Sequence, residues 1–294
     1  MKATCFAAAL AVGILSAAPT ADAYVESRTS TGTALAWRQA CRDLRIAGSD
    51  HGEIDRTELT TSLTRAFAAW RGPFSSCTRF DAQVSSTAAS ASDVAYDGEN
   101  VVVVRDAAFC RDPLNAGRDV CAAPQAAAVT TLFFIDKPGD PRDGEILDVD
   151  IAVNGIDFTY GSEPGQIDLD SVLTHEVGHY LGLAHTCYTD RANEPPPASN
   201  GTLTPYCYPL SQLDTTVKDA TMFNFIKPGE TNKRAPSQDE WHGICAMYSE
   251  HPGGCDPSVT PQGCGGCTAG SGVGAAGILM LFSLAPFFLS RRRS

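Results

Sequence analysis

Eleven consecutive residues, His175-Glu176-Val177-Gly178-His179-Tyr180-Leu181-Gly182-Leu183-Ala184-His185, restrict the fold of this chain more than any other segment. His175 and His179 are four apart, so on a helix they stand one turn apart on one face and both imidazoles reach a common point. Gly182 has no Cβ and takes positive φ without steric cost, so the helix can end there and the chain can turn back to bring in His185. Three protein nitrogens around a zinc ion leave its fourth position open to water, as in catalytic rather than structural sites. Glu176, beside the first histidine, points toward that position, where a carboxylate takes a proton from zinc-bound water and hands it to a leaving amine. A bare H-E-x-x-H would say less; here every position of H-E-x-x-H-x-x-G-x-x-H is filled.

The rest of the chain bounds where such a site operates. With 294 residues and 43% hydrophobic content there is enough sequence for one substantial core. A net charge of −12 excludes a nucleic-acid partner, because phosphate binding depends on Lys and Arg. Residues 1–23 read as a signal peptide: Lys2, an apolar stretch from Cys5 to Ala18, then Ala21-Asp22-Ala23 as a small-x-small cleavage site. Residues 24–250 form the globular domain and 251–268 a Gly, Pro and Cys-rich linker. Residues 269–294 are a tail whose nearly uncharged run from Ala269 to Leu289 is long enough to cross a bilayer and ends in Arg291-Arg292-Arg293. Positive clusters stay cytoplasmic, so the domain is expected to be secreted or displayed at the cell surface, tethered to a membrane through its tail before any processing.

In an exported chain the eleven cysteines are a disulfide framework. Cys5 leaves with the leader, and order along the chain suggests Cys41 with Cys77, Cys110 with Cys121, Cys187 with Cys207 and Cys245 with Cys255, out of about 105 pairings of eight cysteines. They do not form the two short C-x-x-C knuckles of a second zinc site.

Hydrophobic periodicity then predicts the elements. Residues 33–38 read as a first strand, followed by a polar loop to Asp55. Leu59, Leu63, Phe67 and Trp70 recur at helical spacing between a capping box at Asp55 and Glu58 and a stop at Gly72-Pro73, giving a helix over 56–71 with an aromatic stripe in the core. Phe80–Val84, Val101–Val104, Val129–Ile135 and Ile146–Val153 read as strands. Residues 170–182 return to helical periodicity, with Asp168 or Asp170 as cap. Residues 186–220 look like a long irregular loop pinned by cysteines, and 237–248 a last helix capped by Ser237 with Glu240.

The ligand segment closely resembles matrixin-type metzincins, whose helix commonly reads H-E-x-G-H-x-L-G-L-x-H followed by Ser or Thr; Thr186 fits that last position. The resemblance extends to Gly144–Asn154 (GEILDVDIAVN), to Asp168-Leu169-Asp170-Ser171-Val172-Leu173 and to Thr221-Met222, which is similar to the family's Met-turn, and covers about residues 33–250. It implies an α+β zincin-like fold: a twisted, mostly parallel five-stranded sheet with two long helices, then a smaller irregular C-terminal part after Gly182. It also implies one catalytic zinc on His175, His179 and His185, Glu176 as the catalytic base, and Met222 as a hydrophobic floor beneath the metal. Val129, Thr130, Thr131, Leu132, Phe133 and Phe134 would line the substrate, bound as an added strand, while Phe223 and Asn224 would begin the wall of the specificity pocket. The tail resembles the sorting tails of myxobacterial surface proteins, in which Cys264 or Cys267 would be the processed position.

The chain also departs from the family. The gap from His185 to Met222 is much longer than in typical matrixins. Only His51 precedes the ligand helix, so the upstream structural-zinc histidines are missing and one zinc is expected. Calcium is a second candidate cation, because Asp148 and Asp150 match acidic positions near a family calcium site, yet Ile151 stands where a further carboxylate is expected. No inhibitory pro-segment is evident, since about ten residues separate the cleavage site from the first predicted strand. The expected function is hydrolysis of internal peptide bonds in extracellular or surface proteins by a monomeric zinc endopeptidase, with a protein or peptide as substrate. The alternatives are a non-catalytic zinc-stabilised surface binding module, or hydrolysis of a non-peptide substrate.

Overall fold

The structure is a computed structural model, and it describes residues 24–39, 41–48, 54–72, 77–78, 80–106, 110–111, 120–121, 125–249 and 280–286. The leader, His51, His251, the cysteines of the linker and tail, and most of the 269–289 run lie outside the described residues.

In chain order the elements are β1 (Cys41–Ile46), α1 (Arg56–Arg71), β2 (Asp81–Val84), β3 (Val101–Arg105), β4 (Cys110–Arg111), β5 (Val120–Cys121), β6 (Ala128–Phe134) and β7 (Ile146–Asn154). Then come α2 (Leu169–Tyr180), α3 (Thr215–Asp219), β8 (Phe225–Ile226), α4 (Gln238–Tyr248) and β9 (Met280–Pro286). The sheet runs β2-β1-β3-β7-β6 and continues through β9 to β8, while β4 and β5 make a separate antiparallel pair. Its first five strands are parallel except for β6, which runs antiparallel to β7. This is the α+β, mostly parallel five-stranded arrangement that the family resemblance implied.

The helices start where capping chemistry puts them. Asp55 accepts from the Glu58 amide to open α1, and Asp168, rather than Asp170, accepts from the Ser171 amide to open α2. Ser237 and Glu240 form a complete capping box on α4. The α1 stripe of Leu59, Leu63, Phe67 and Trp70 is buried against α2 and the sheet, in a core with Leu132, Phe134, Val149 and Ile151. The opposite sheet face carries a smaller cluster of Val101, Val103, Val129 and Ala152.

Two strand expectations need correction. Residues 33–38 are not a strand of the sheet; Ala36 makes one parallel bridge to Glu145, and Leu35 and Trp37 are buried beside it. The first strand of the sheet in chain order is instead β1, which lies between β2 and β3 in the stretch read as polar loop, because Leu44 and Ile46 alternate inward with charged Asp43 and Arg45 between and before them.

The disulfides also depart from chain order. Cys187 bonds Cys207 as expected, but Cys77 bonds Cys245, 168 residues away, which overturns Cys41 with Cys77 and Cys245 with Cys255. Packing of α4 beneath the sheet edge brings Cys245 to Cys77, with Phe80 stacked on Tyr248 close by. Cys41 is disulfide-bonded as well. Cys110 and Cys121 face each other in the register of β4 and β5.

Candidate metal centre and active site

Four aromatic contacts hold the C-terminal half of α2 in place. Trp70 donates its indole N–H to the Thr174 carbonyl (2.7 Å), Trp37 to the Tyr180 carbonyl (2.8 Å), and the Tyr248 hydroxyl to the Leu181 carbonyl (2.9 Å). Phe67 packs edge-on against Tyr180. The last two carbonyls lie at the helix end, where no intrahelical donor remains, so side chains take over that role. Gly182 has φ 94°, and a Cβ there would run into the Leu35 carbonyl, so the expected turn occurs at a position only glycine fits.

Beyond that turn the chain is stitched to its own beginning. Ser27 N–H donates to the Gly182 carbonyl and Ala184 N–H to the Val25 carbonyl, each at 2.8 Å, so residues 25–27 hold the segment that delivers His185.

The three imidazoles converge as the spacing predicts. The Nε2 atoms of His175 and His179 are 3.0 Å apart, those of His179 and His185 3.1 Å, and those of His185 and His175 3.2 Å. A tetrahedral zinc with Zn–N of about 2.0–2.1 Å has ligand-to-ligand edges of roughly 3.3–3.4 Å, so the triangle closely fits that ion. His175 Nδ1 lies 2.6 Å from the Thr221 carbonyl and His179 Nδ1 2.7 Å from the Leu183 carbonyl. Carbonyls only accept, so both Nδ1 atoms carry the proton and both Nε2 lone pairs face inward. Burial, and then the charge of neighbouring imidazoles, pushes the His175 and His179 pKa values well below the ordinary value. Burial and the charge of Lys233 lower His185 to about 3. All three are therefore neutral at neutral pH, the state a metal requires. The donor set fits zinc, and among the described residues it is the one cluster of three or more such side chains placed to hold a metal ion.

Glu176 is buried beside the trio, and the Thr130 hydroxyl, reaching from β6, donates to its Oε2 at 2.5 Å. The β6 side chains alternate. Leu132 and Phe134 join the core on the α2 side with Thr130, whereas Val129 lies in the cluster on the other face and the Phe133 ring lies tilted against Tyr96 at 5.4 Å. Of the six β6 residues expected at substrate, only Thr130 is hydrogen-bonded to Glu176 through its side chain. What β6 offers a peptide is its backbone edge.

Met222 lies beneath the helix against Gly178, where a Cβ would run into the Met222 sulfur and the Trp70 ring. Two buried charges that sequence reasoning did not connect to the site hold this turn. Glu240 accepts from the Met222 amide (2.6 Å), the Thr221 amide (3.3 Å) and the Ser237 amide (2.7 Å), and Lys233 donates to the Ala220 carbonyl (2.7 Å). The capping box was the visible trace of Glu240; Lys233 left none. Tyr160 was also missed. Its phenol donates to the Ala127 carbonyl (2.7 Å), and its proton is held by burial and by the charge of Glu176.

After Met222, Phe223 is buried with Phe225, Leu213 and the Cys187–Cys207 bond. Asn224 Oδ1 lies 3.1 Å and 3.4 Å from the two sulfurs, which is packing rather than hydrogen bonding, since a disulfide carries no proton. The inserted loop therefore backs Phe223 and Phe225, and Tyr208 adds an edge-on contact to Phe225.

Asp148 and Asp150, the candidate calcium residues, stand two apart on β7. Both are buried. Asp148 accepts from the Asp97 and Gly98 amides, and Asp150 from those of Ala95 and Val101.

A family model for matrixins matches residues 36–192, more than half of the chain. The chain belongs to the matrixin family. Matrixins are zinc-dependent endopeptidases, so this matrixin is a metalloprotease with a peptide substrate. The match spans the three histidines and Glu176 but stops inside the Cys187–Cys207 loop, so Met222 and its supports rest on the geometry. A comparison with curated proteins gave no significant match.

Proposed function

We propose that this matrixin cleaves internal peptide bonds of extracellular or surface proteins, with Glu176 carrying the proton and one zinc ion on His175, His179 and His185. The observation that supports it most is the pairing of three inward-facing Nε2 atoms with a buried carboxylate fixed by Thr130. A purely structural site gains nothing from that carboxylate. Zinc, when bound, lowers the pKa of its water and polarises the scissile carbonyl. Glu176 then takes the proton from the attacking water and delivers it to the amine nitrogen that departs. Thr130 keeps the carboxylate in one orientation. The β6 backbone aligns the peptide as an added strand over Val129–Phe134, and Phe223 and Asn224 begin the wall facing it.

Export by residues 1–23 and tethering or sorting through residues 269–294 belong to the same reading, as does action as a monomer. Calcium at Asp148 and Asp150 stands in this reading as a second candidate cation: four backbone amides donate to the pair, while Asp148 Oδ1 is buried with no hydrogen-bond partner among the described residues.

The test uses residues 24–268, which keep every cysteine except Cys5, and measures metal content together with cleavage of an unstructured protein. The expected result is one zinc per chain, and cleavage that is lost on chelation and restored by zinc. Glu176→Ala should keep the zinc and lose about 10²–10⁴-fold in turnover. One zinc with no difference between wild type and Glu176→Ala would establish a binding module instead.

A further inference from the structure

β9 lies where a substrate would. It pairs antiparallel with β6, from Ala128 opposite Leu284 to Leu132 opposite Met280, and parallel with β8, where Phe225 meets Ala285 and Ile226 meets Pro286. The slot between the β6 edge and the segment following Met222 is thus filled by seven residues from the far end of the same chain. α2 also touches β9. Thr130, which orients Glu176, stands opposite Phe282 in the register, so β9 crosses the groove beside the catalytic carboxylate.

We propose that Met280–Pro286 is an intramolecular occupant of the substrate groove that holds the protease latent. The inference rests on the endopeptidase reading above. A backbone N–H or C=O on the β6 edge serves one strand at a time, so β9 and a substrate strand exclude each other. An occupant tied to the same chain acts at an effective concentration of roughly millimolar, which an external peptide must overcome. The sequence Met-Leu-Phe-Ser-Leu-Ala-Pro carries no charge, so nothing in it penalises an apolar slot. The same residues lie within the run long enough to cross a bilayer. A tail in lipid or removed by processing would leave the groove open, and a tail in the groove cannot anchor.

The test compares the leaderless chain, residues 24–294, with its Phe282→Pro plus Ser283→Pro variant, which removes one amide on each edge of β9. Hydrogen exchange at those amides within residues 128–132 that face β9 rather than β7 should quicken at least tenfold in the variant, with Glu176 intact or as Glu176→Ala. Cleavage of an unstructured protein should rise at least tenfold, and a synthetic peptide of sequence 280–286 should inhibit the variant competitively. Unchanged exchange at those β9-facing amides would overturn occupancy even if both chains cleave. Faster exchange without faster cleavage in an active enzyme would overturn latency, as would finding 280–286 cut by the enzyme itself. Faster exchange with no cleavage by either chain would instead sink the endopeptidase reading and leave the occupied groove standing.

Discussion

Thr130 contributes one hydroxyl, and its bond to Glu176 Oε2 fixes which way the carboxylate of the proposed base faces. A hydrogen bond to a charged group is worth about 1.5–3 kcal/mol. Thr130→Val should therefore lower kcat by about 10–100-fold with zinc content and KM nearly unchanged, and Thr130→Ser should restore most of it; steady-state kinetics with metal analysis checks both. Asp148 makes a different prediction. Burial first, and the Asp97 charge besides, raise its pKa from 3.8 to about 6, against the pull of the Gly98 and Asp97 amides. A carboxylate raised in the folded state contributes stability that is complete below its unfolded pKa and is lost as pH rises through its folded one. Wild-type stability should thus fall by about 2–3 kcal/mol between pH 4 and pH 6 on this account. Asp148→Asn should flatten that slope, as read from urea midpoints across the range. At this scale the metal ligands were legible because all three lie in one window whose spacing is set by a helix and a glycine. Thr130 was legible as strand and, through the family resemblance, as substrate lining, but not as the partner of Glu176, which is 46 residues away and depends on how β6 crosses α2.

At the scale of elements, the turn carrying Met222 is built by α4 as much as by its own residues. Glu240→Ala leaves the buried amides of Thr221 and Met222 without their acceptor, which should cost about 2–4 kcal/mol in chemical denaturation and weaken zinc retention, since Thr221 also orients His175. Gly178→Ala should displace Met222 and lower both stability and activity without altering the helix content seen by circular dichroism. The three main helices were readable to within a residue or two because Asp55, Asp168 and Ser237 announce their starts. β1 was not, because only Leu44 and Ile46 are fully buried among six residues, and the Leu35 and Trp37 pattern upstream offered a stronger alternation with only two isolated bridges behind it. The two buried charges under the turn were unreadable for another reason: Lys and Glu normally signal surface.

For the molecule as a whole, the Cys77–Cys245 bond joins the segment after α1 to α4 across 168 residues. Replacing both cysteines by serine should lower the unfolding free energy by about 2–5 kcal/mol while leaving the zinc stoichiometry at one, as denaturant titration and metal analysis would show. Cysteine order could not reveal this pairing, since it depends on where α4 docks. The same docking brings Tyr24 against Gly243, while Val25 secures Ala184 and Glu240 secures Met222. A chain emerging amino end first must therefore keep Val25 waiting for some 160 residues of synthesis, and the histidines gain their final support only when α4 has been made. Contacts so distant in sequence form late. A product stopped short of Glu240 would carry all three histidines but lack the acceptor that holds the Thr221 and Met222 amides, and with it the support behind His175.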